Sequence, residues 1–319
     1  MHLSHVLLAI ASLVSHICAR KLPYAAVDVP FLGTRKDSKC PSVWTQVKAE
    51  LNTLFMTGDQ CNDLARAAIR AVFHDCGSWD TTQGLTGGCD GSLVVGVTPN
   101  VELDRTENRG LQTIAAKIKD LSTKYGTSVA DMVVFAGSVL LSTTLVHSTT
   151  FTDNLSPDSA ICLCPGGPRV KTFIGRKDST VSAPPGGIPS PFDSAPNLLN
   201  LFAKKGFSAE DLAALLGAHS TSTQKFVDPS QANKSQDSTY VPRISAWIAL
   251  HADEHGNRPG QWDVNYYKET YSFATTGKKD DKVFVLPSDS KLATFDDVGK
   301  KFQGFIGNQG KWTSSFANA

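Results

Sequence analysis

The reading of this chain turns on Arg66–Gly77, "RAAIRAVFHDCG". The stretch is alanine-rich at its start. It ends in a cluster of Arg70, Phe73, His74, Asp75 and Cys76. Arg70 and His74 are four residues apart, so a helix sets them on one face, with Phe73 beside His74. Asp75 is turned away from that face. A lone histidine is more often structural than reactive, so this spacing assigns no role by itself. The surrounding sequence has to decide.

Helical periodicity extends on both sides. Ser42–Phe55, "SVWTQVKAELNTLF", spaces Val43, Val47, Leu51 and Leu54 at three- and four-residue intervals. "CNDLARAAIRAVFHD" sets Asp63 near a helix start, where it suits the dipole. "GLQTIAAKIKDLSTKYG" and "SVADMVVFAGSVLL" continue the pattern. Pro165–Pro191 is rich in Gly and Pro and reads as irregular chain between two lobes. "SAPNLLNLFAKKG" ends at Gly206, a good residue just past a helix end. In "SAEDLAALLGAHS", Ser208 and Asp211 form a relative of the capping box. "DDKVFVLPSD" reads as strand-like or extended. The pattern predicts a mostly α fold in two lobes, without internal repeats.

Composition narrows the function classes. The chain has 319 residues, 41% of them hydrophobic, enough for one large domain or two lobes with a real core. A formal net charge of +1 gives no bias toward nucleic acid or an acidic surface. The first twenty residues, "MHLSHVLLAIASLVSHICAR", read as a secretory signal peptide over residues 1–19. No later stretch is long and apolar enough to span a bilayer. Six cysteines follow the expected cut: Cys40, Cys61, Cys76, Cys89, Cys162 and Cys164. An even number behind a signal peptide suggests disulfides, with their pairing open. Asn154 and Asn233 lie in glycosylation sequons.

Further motifs follow in order. "GGCDGSLV" (Gly87–Val94) offers a carbonyl, a carboxylate and a hydroxyl at alternate residues, oxygen ligands that suit Ca²⁺. Then come "VELDRTENRGL", "CPGGPRV", "LLGAHSTS" and "QDST". A zinc site from His74, Cys76 and Cys89 does not match common Cys/His zinc spacings. From about Cys40 to near its end the chain resembles the fungal secreted (class II) haem peroxidases of the plant peroxidase superfamily. "RAVFHDC" and "LLGAHS", in that order, carry the resemblance, with "DGS", "ENRGL" and "CPGGPRV" between them. "CPSVW" and the Cys76/Cys89 pair are most similar to generic ascomycete members.

The resemblance implies a two-lobed, mostly all-α fold over 40–319. Haem b would lie between a distal lobe (about 40–165) and a proximal lobe (about 190–319). It implies a monomeric extracellular enzyme with no nucleic-acid or membrane partner. Hydrogen peroxide would oxidise small phenolic or dye-like aromatic donors at the haem edge in one-electron steps, near "GIPSPF" (Gly187–Phe192). Arg70, Phe73 and His74 would form the distal face. Asn108 would orient His74, and Glu102 would steady Asn108. His219 would bind the iron, with Asp289 as its carboxylate partner. Two Ca²⁺ are implied. Asp75, the Gly88 carbonyl, Asp90 and Ser92 would hold one. Ser220, Asp237, Thr239, the Gln261 carbonyl and Asp263 would hold the other. By the same resemblance Cys61 would bridge to Cys164. Cys76 would bridge to Cys89, closing the first calcium loop for about 3 kcal/mol.

The chain also departs from its relatives' pattern. At the manganese-binding positions stand Asp63, Ala67 and Lys225, a poor carboxylate cage for a divalent ion. Ala214 occupies the place of the surface tryptophan used for long-range oxidation. Residues 142–163 and 240–258 read as atypical insertions, and the second splits the proximal calcium loop. Each is comparable in length to a short intron read through, and transcript sequencing distinguishes that origin from genuine loops. The competing expectation is a secreted Ca²⁺- or haem-binding protein inactivated by these insertions.

Overall fold

The computed structural model describes residues 41–57, 60–84, 87–97, 102–139, 167–168, 170–236 and 262–319. The signal segment, both insertions and Cys40, Cys162 and Cys164 lie outside them. Residues 40–319 cluster as one compact unit.

Among the described residues the helices are α1 (Val43–Phe55), α2 (Asp63–Cys76), α3 (Ser92–Val95), α4 (Gln112–Tyr125), α5 (Val129–Val139), α6 (Ala195–Lys204) and α7 (Ala209–Leu215). They continue with α8 (Asn265–Thr276), α9 (Pro287–Leu292), α10 (Asp296–Gln303) and α11 (Gln309–Asn318). The only sheet among the described residues is an antiparallel pair, β1 (Met56–Thr57) and β2 (Gln60–Cys61). The expected all-α character therefore holds.

The start of α2 is set by Asn62, which the sequence reading passed over. Its side chain accepts from the N–H groups of Leu64 (3.0 Å) and Ala65 (3.1 Å). Its amide also donates to the Leu54 carbonyl at 2.9 Å, tying α2 to the end of α1. Alanines on the inner face, Ala65, Ala68 and Ala71, let α2 sit close to its neighbours. At Gly137 of α5 an added Cβ would lie 2.2 Å from Val72 Cγ2, so only glycine permits the observed crossing of α2 and α5. Leu51 of α1, Ile118 of α4 and Met132 of α5 are fully buried in the same apolar cluster. Each such side chain contributes about 1.5–3 kcal/mol.

The C-terminal half packs through aromatic rings. Tyr267 of α8 meets Phe302 of α10 at 4.6 Å between ring centroids, and Trp262 stacks on Trp312 of α11 at 5.9 Å. α7 opens with the capping box of Ser208 and Asp211, and Gly206, just past α6, takes a φ of +90°. "DDKVFVLPSD" is extended without becoming a strand. Val283 forms an isolated bridge with Ser235, and the Phe284 N–H donates to the Ser235 carbonyl at 2.8 Å. Residues 170–191 carry no helix or strand. No helix among the described residues is long and apolar enough to cross a membrane.

Two seams join the N-terminal and C-terminal helices around the histidines. In one, Gly187 lies against the Ser78 backbone, just past α2, where an added Cβ would approach within 2.6 Å. Four residues on, the Pro191 carbonyl accepts from the N–H of Ser288, next to Asp289, at 2.8 Å. In the other, Phe226 packs under Arg109 (5.4 Å to the ring centroid) and against Gly110. Lys225 reaches Asp63 at 3.2 Å.

Candidate active site

α2 delivers Arg70 and His74 to one place, as their spacing predicts. Arg70 Nε donates to His74 Nε2 at 3.2 Å. The guanidinium is held by backbone: Nη1 donates to the Arg109 carbonyl (2.7 Å) and Nη2 to the Glu107 carbonyl (2.5 Å). His74 Nδ1 lies 2.6 Å from Asn108 Oδ1. Asn108 Nδ2 in turn donates to the Glu102 carbonyl at 2.6 Å, which fixes the amide so that its oxygen faces the imidazole. Asn108 Oδ1 only accepts, so the His74 proton is assigned to Nδ1 and the lone pair to Nε2. Glu102 acts here through its backbone, while its carboxylate accepts from the Ala183 N–H at 2.7 Å.

Burial pushes the His74 imidazole down to a pKa of about 3. The Arg70 charge works in the same direction and the Asn108 hydrogen bond opposes it. Burial lowers Arg70 to about 10, which leaves it cationic at neutral pH. The group is thus a neutral base beside a fixed positive charge. Phe73 is 37% exposed and stacks on Phe202 of α6 at 6.3 Å.

His219 lies in the 3₁₀ turn Leu216–Thr221, directly after α7. Its Nδ1 lies 2.7 Å from Asp289 Oδ2, at the start of α9. Asp289 is fully buried. Burial disfavours the imidazolium, but the Asp289 carboxylate outweighs it and raises His219 above the ordinary histidine value. About a third of the His219 side-chain surface, 34%, is accessible. With Nδ1 committed to the carboxylate, Nε2 is the nitrogen left to bind a metal. That donor set fits a haem iron.

The distal calcium candidates lie at the end of α2 and in the segment that follows it, and among the described residues no three His, Cys, Asp or Glu side chains gather closely enough to hold a metal ion by themselves. Asp75 is fully buried and accepts from the N–H groups of Gly91 (2.9 Å) and Leu93 (3.2 Å). Burial raises its carboxyl to about 7. Those two N–H groups oppose the shift, and the charges of Asp90 and Glu102 add to it. Asp90 accepts from the Ser92 N–H at 3.0 Å, and the Gly88 carbonyl from the Asp90 N–H at 2.8 Å. Ser92 Oγ is buried and lies beside the Glu102 carboxylate, which it favours in its charged form. Buried Asp75 beside the charges of Asp90 and Glu102, with the Ser92 hydroxyl, is an all-oxygen set of the kind a hard cation takes. Cys76 and Cys89 close this loop as a disulfide, so neither is a thiolate free for zinc. Cys61 is disulfide-bonded too, and its expected partner Cys164 lies outside the described residues.

On the proximal side Ser220 Oγ is also buried without a hydrogen-bond partner. Asp263 is half-buried and accepts from the Asn265 N–H at 2.8 Å. Asp237, Thr239 and Gln261 lie outside the described residues. Of this set, the structure therefore describes only Ser220 and Asp263.

Two departures from the relatives' pattern acquire a physical form. Asp63 is held by Arg66 and by Lys225, so its carboxylate is already paired with two cations. Ala214 is fully buried. Its carbonyl accepts from Trp312 Nε1 (3.0 Å) and the Tyr267 hydroxyl (3.1 Å). Tyr266 is the site residue that sequence reasoning missed. Its hydroxyl donates to Asp289 Oδ2 at 2.7 Å, and the only sequence signal is a tyrosine pair in a helical segment.

Residues 44–308 match the family described as Peroxidase. The chain is 30% identical to a low-redox potential peroxidase of Taiwanofungus camphoratus, over 86% of this chain and 71% of that protein. It is 27% identical to manganese peroxidase 3 of Phlebia radiata, over 90% of this chain and 73% of that one. It is 28% identical to ligninase LG6 of Phanerodontia chrysosporium, over 86% and 67%. With two histidine centres of this construction and these relatives, the chain belongs to the peroxidase family and is a haem peroxidase, an oxidoreductase that uses hydrogen peroxide.

Proposed function

We propose that this peroxidase is secreted and monomeric and takes electrons from small phenolic or dye-like donors at the haem edge. One observation carries the mechanism: the hydrogen-bond chain from the Glu102 carbonyl through Asn108 to His74, with Arg70 on the far nitrogen. It leaves a neutral imidazole with its lone pair on Nε2.

A haem b bound through His219 would supply the iron that accepts the oxidising equivalents of peroxide. His74 Nε2 takes a proton from one peroxide oxygen and returns it to the other, which leaves as water. The Asn108 amide keeps Nδ1 protonated, so Nε2 remains the basic atom throughout. The Arg70 guanidinium, fixed by two carbonyls, stabilises negative charge as the O–O bond lengthens. Asp289 holds His219 in orientation and strengthens it as a donor. Phe73 walls the distal side. Asp75, the Gly88 carbonyl, Asp90 and Ser92 would hold one Ca²⁺ at the foot of α2. Ser220 and Asp263, with Asp237, Thr239 and Gln261, would hold the second beside His219.

Small donors are supported by what stands at the specialised positions. Paired Asp63, with Ala67 and Lys225, makes no manganese cage, and Ala214 is buried and redox-inert. Similarity to a protein named for low redox potential points the same way. The test is haem reconstitution followed by steady-state kinetics. Turnover of phenols is expected, without Mn²⁺ saturation at low concentration and without oxidation of veratryl-type donors. Saturable Mn²⁺ turnover would overturn the donor assignment.

A further inference from the structure

Asp289 Oδ2 receives two donors. His219 Nδ1 lies 2.7 Å away, and the Tyr266 hydroxyl donates to the same oxygen at 2.7 Å. The other carboxylate oxygen, Oδ1, accepts from the Ser288 hydroxyl at 2.9 Å. All three of Asp289, Tyr266 and the neighbouring Tyr267 are fully buried, so water does not dilute the arrangement. In such surroundings a hydrogen bond to a charged acceptor is strong, and a second donor on one oxygen draws negative charge away from the first.

We propose that Tyr266 is a positioning residue that weakens the Asp289–His219 hydrogen bond and so sets the reduction potential of the bound haem iron. This rests on the haem-peroxidase reading of His219. A carboxylate free to accept fully from Nδ1–H gives the imidazole more anionic character, which favours ferric iron. Tyr266 takes part of that carboxylate's capacity, so His219 donates less and ferrous iron is relatively favoured. The placement of the phenol is built in. Tyr266 packs edge-on to the His219 ring at 6.1 Å and to Phe302 at 5.7 Å. Its neighbour Tyr267 is turned the other way, its hydroxyl on the carbonyls of Ala213 (2.9 Å) and Ala214 (3.1 Å).

The experiment compares haem-loaded wild type, Tyr266→Phe and Tyr267→Phe. The readouts are the ferric/ferrous midpoint potential by redox titration and the iron–histidine stretch of the ferrous protein by resonance Raman. Tyr266→Phe removes one hydroxyl with no change in ring packing. It is expected to move the potential negative and the stretch to higher frequency, while Tyr267→Phe leaves both near wild type. An unchanged potential in Tyr266→Phe overturns the proposal, as does an equal shift in Tyr267→Phe. A wild-type protein without an iron–histidine stretch would overturn the assignment of His219 itself, a separate failure visible before any variant is made.

Discussion

At the scale of single residues, His74 depends on neighbours that its own stretch does not contain. Replacing it with alanine is expected to slow the reaction with peroxide by about 10²–10⁴-fold, the usual worth of general acid–base catalysis. The haem absorbance should persist, because His219 is untouched. Stopped-flow measurement of the peroxide reaction against haem content checks both. The pH profile offers a second test. With its pKa held near 3 by burial and Arg70, the imidazole stays neutral well below the ordinary histidine value. The peroxide rate constant should therefore be flat from neutral pH down to about pH 5, where an unperturbed histidine of pKa about 6.5 would be mostly protonated. A rate that halves near pH 6.5 would contradict the assignment. The shared face of Arg70 and His74 was legible from their four-residue spacing. Asn108, 34 residues away, was not legible from spacing; the family resemblance implied it, and tertiary packing brings it to Nδ1.

At the scale of elements, caps and close approaches hold the two histidines. Asn62→Ala removes the α2 cap and the tie to Leu54, and should destabilise the protein by about 1 kcal/mol in chemical denaturation. The turn carrying His219 is more exacting. At Gly217 an added Cβ would lie 2.2 Å from Trp312 Nε1 and 2.6 Å from the Tyr267 hydroxyl. Gly217→Ala must displace that turn or the aromatic cluster beneath it, at about 1–3 kcal/mol. A lowered melting temperature with a shifted Soret band is the expected pair of signs. The helices themselves were readable from their periodicity, and so was the capping box at Ser208. "DDKVFVLPSD" was legible as extended, but its bridge to Ser235 was not, because a bridge depends on a partner distant in sequence.

For the molecule as a whole, cation binding should be coupled to stability. Asp75 and Ser92 at one end, and Ser220 beside His219, are buried polar groups that a Ca²⁺ would satisfy. Dialysis against a chelator should lower the melting temperature followed by circular dichroism, and added Ca²⁺ should restore it. Calcium at a hundred times its dissociation constant contributes about 2.7 kcal/mol per site. No change on chelation would remove the calcium assignment and leave the haem site standing. The sequence by itself determined the helical class, the face shared by Arg70 and His74, and the order of the two histidine motifs, because these follow from local periodicity and short spacing. Only the tertiary structure decided that Ala214 is buried, that Lys225 pairs with Asp63, and that Tyr266 shares the carboxylate of Asp289. Each of these joins residues far apart in the chain, and their meeting depends on how whole helices pack.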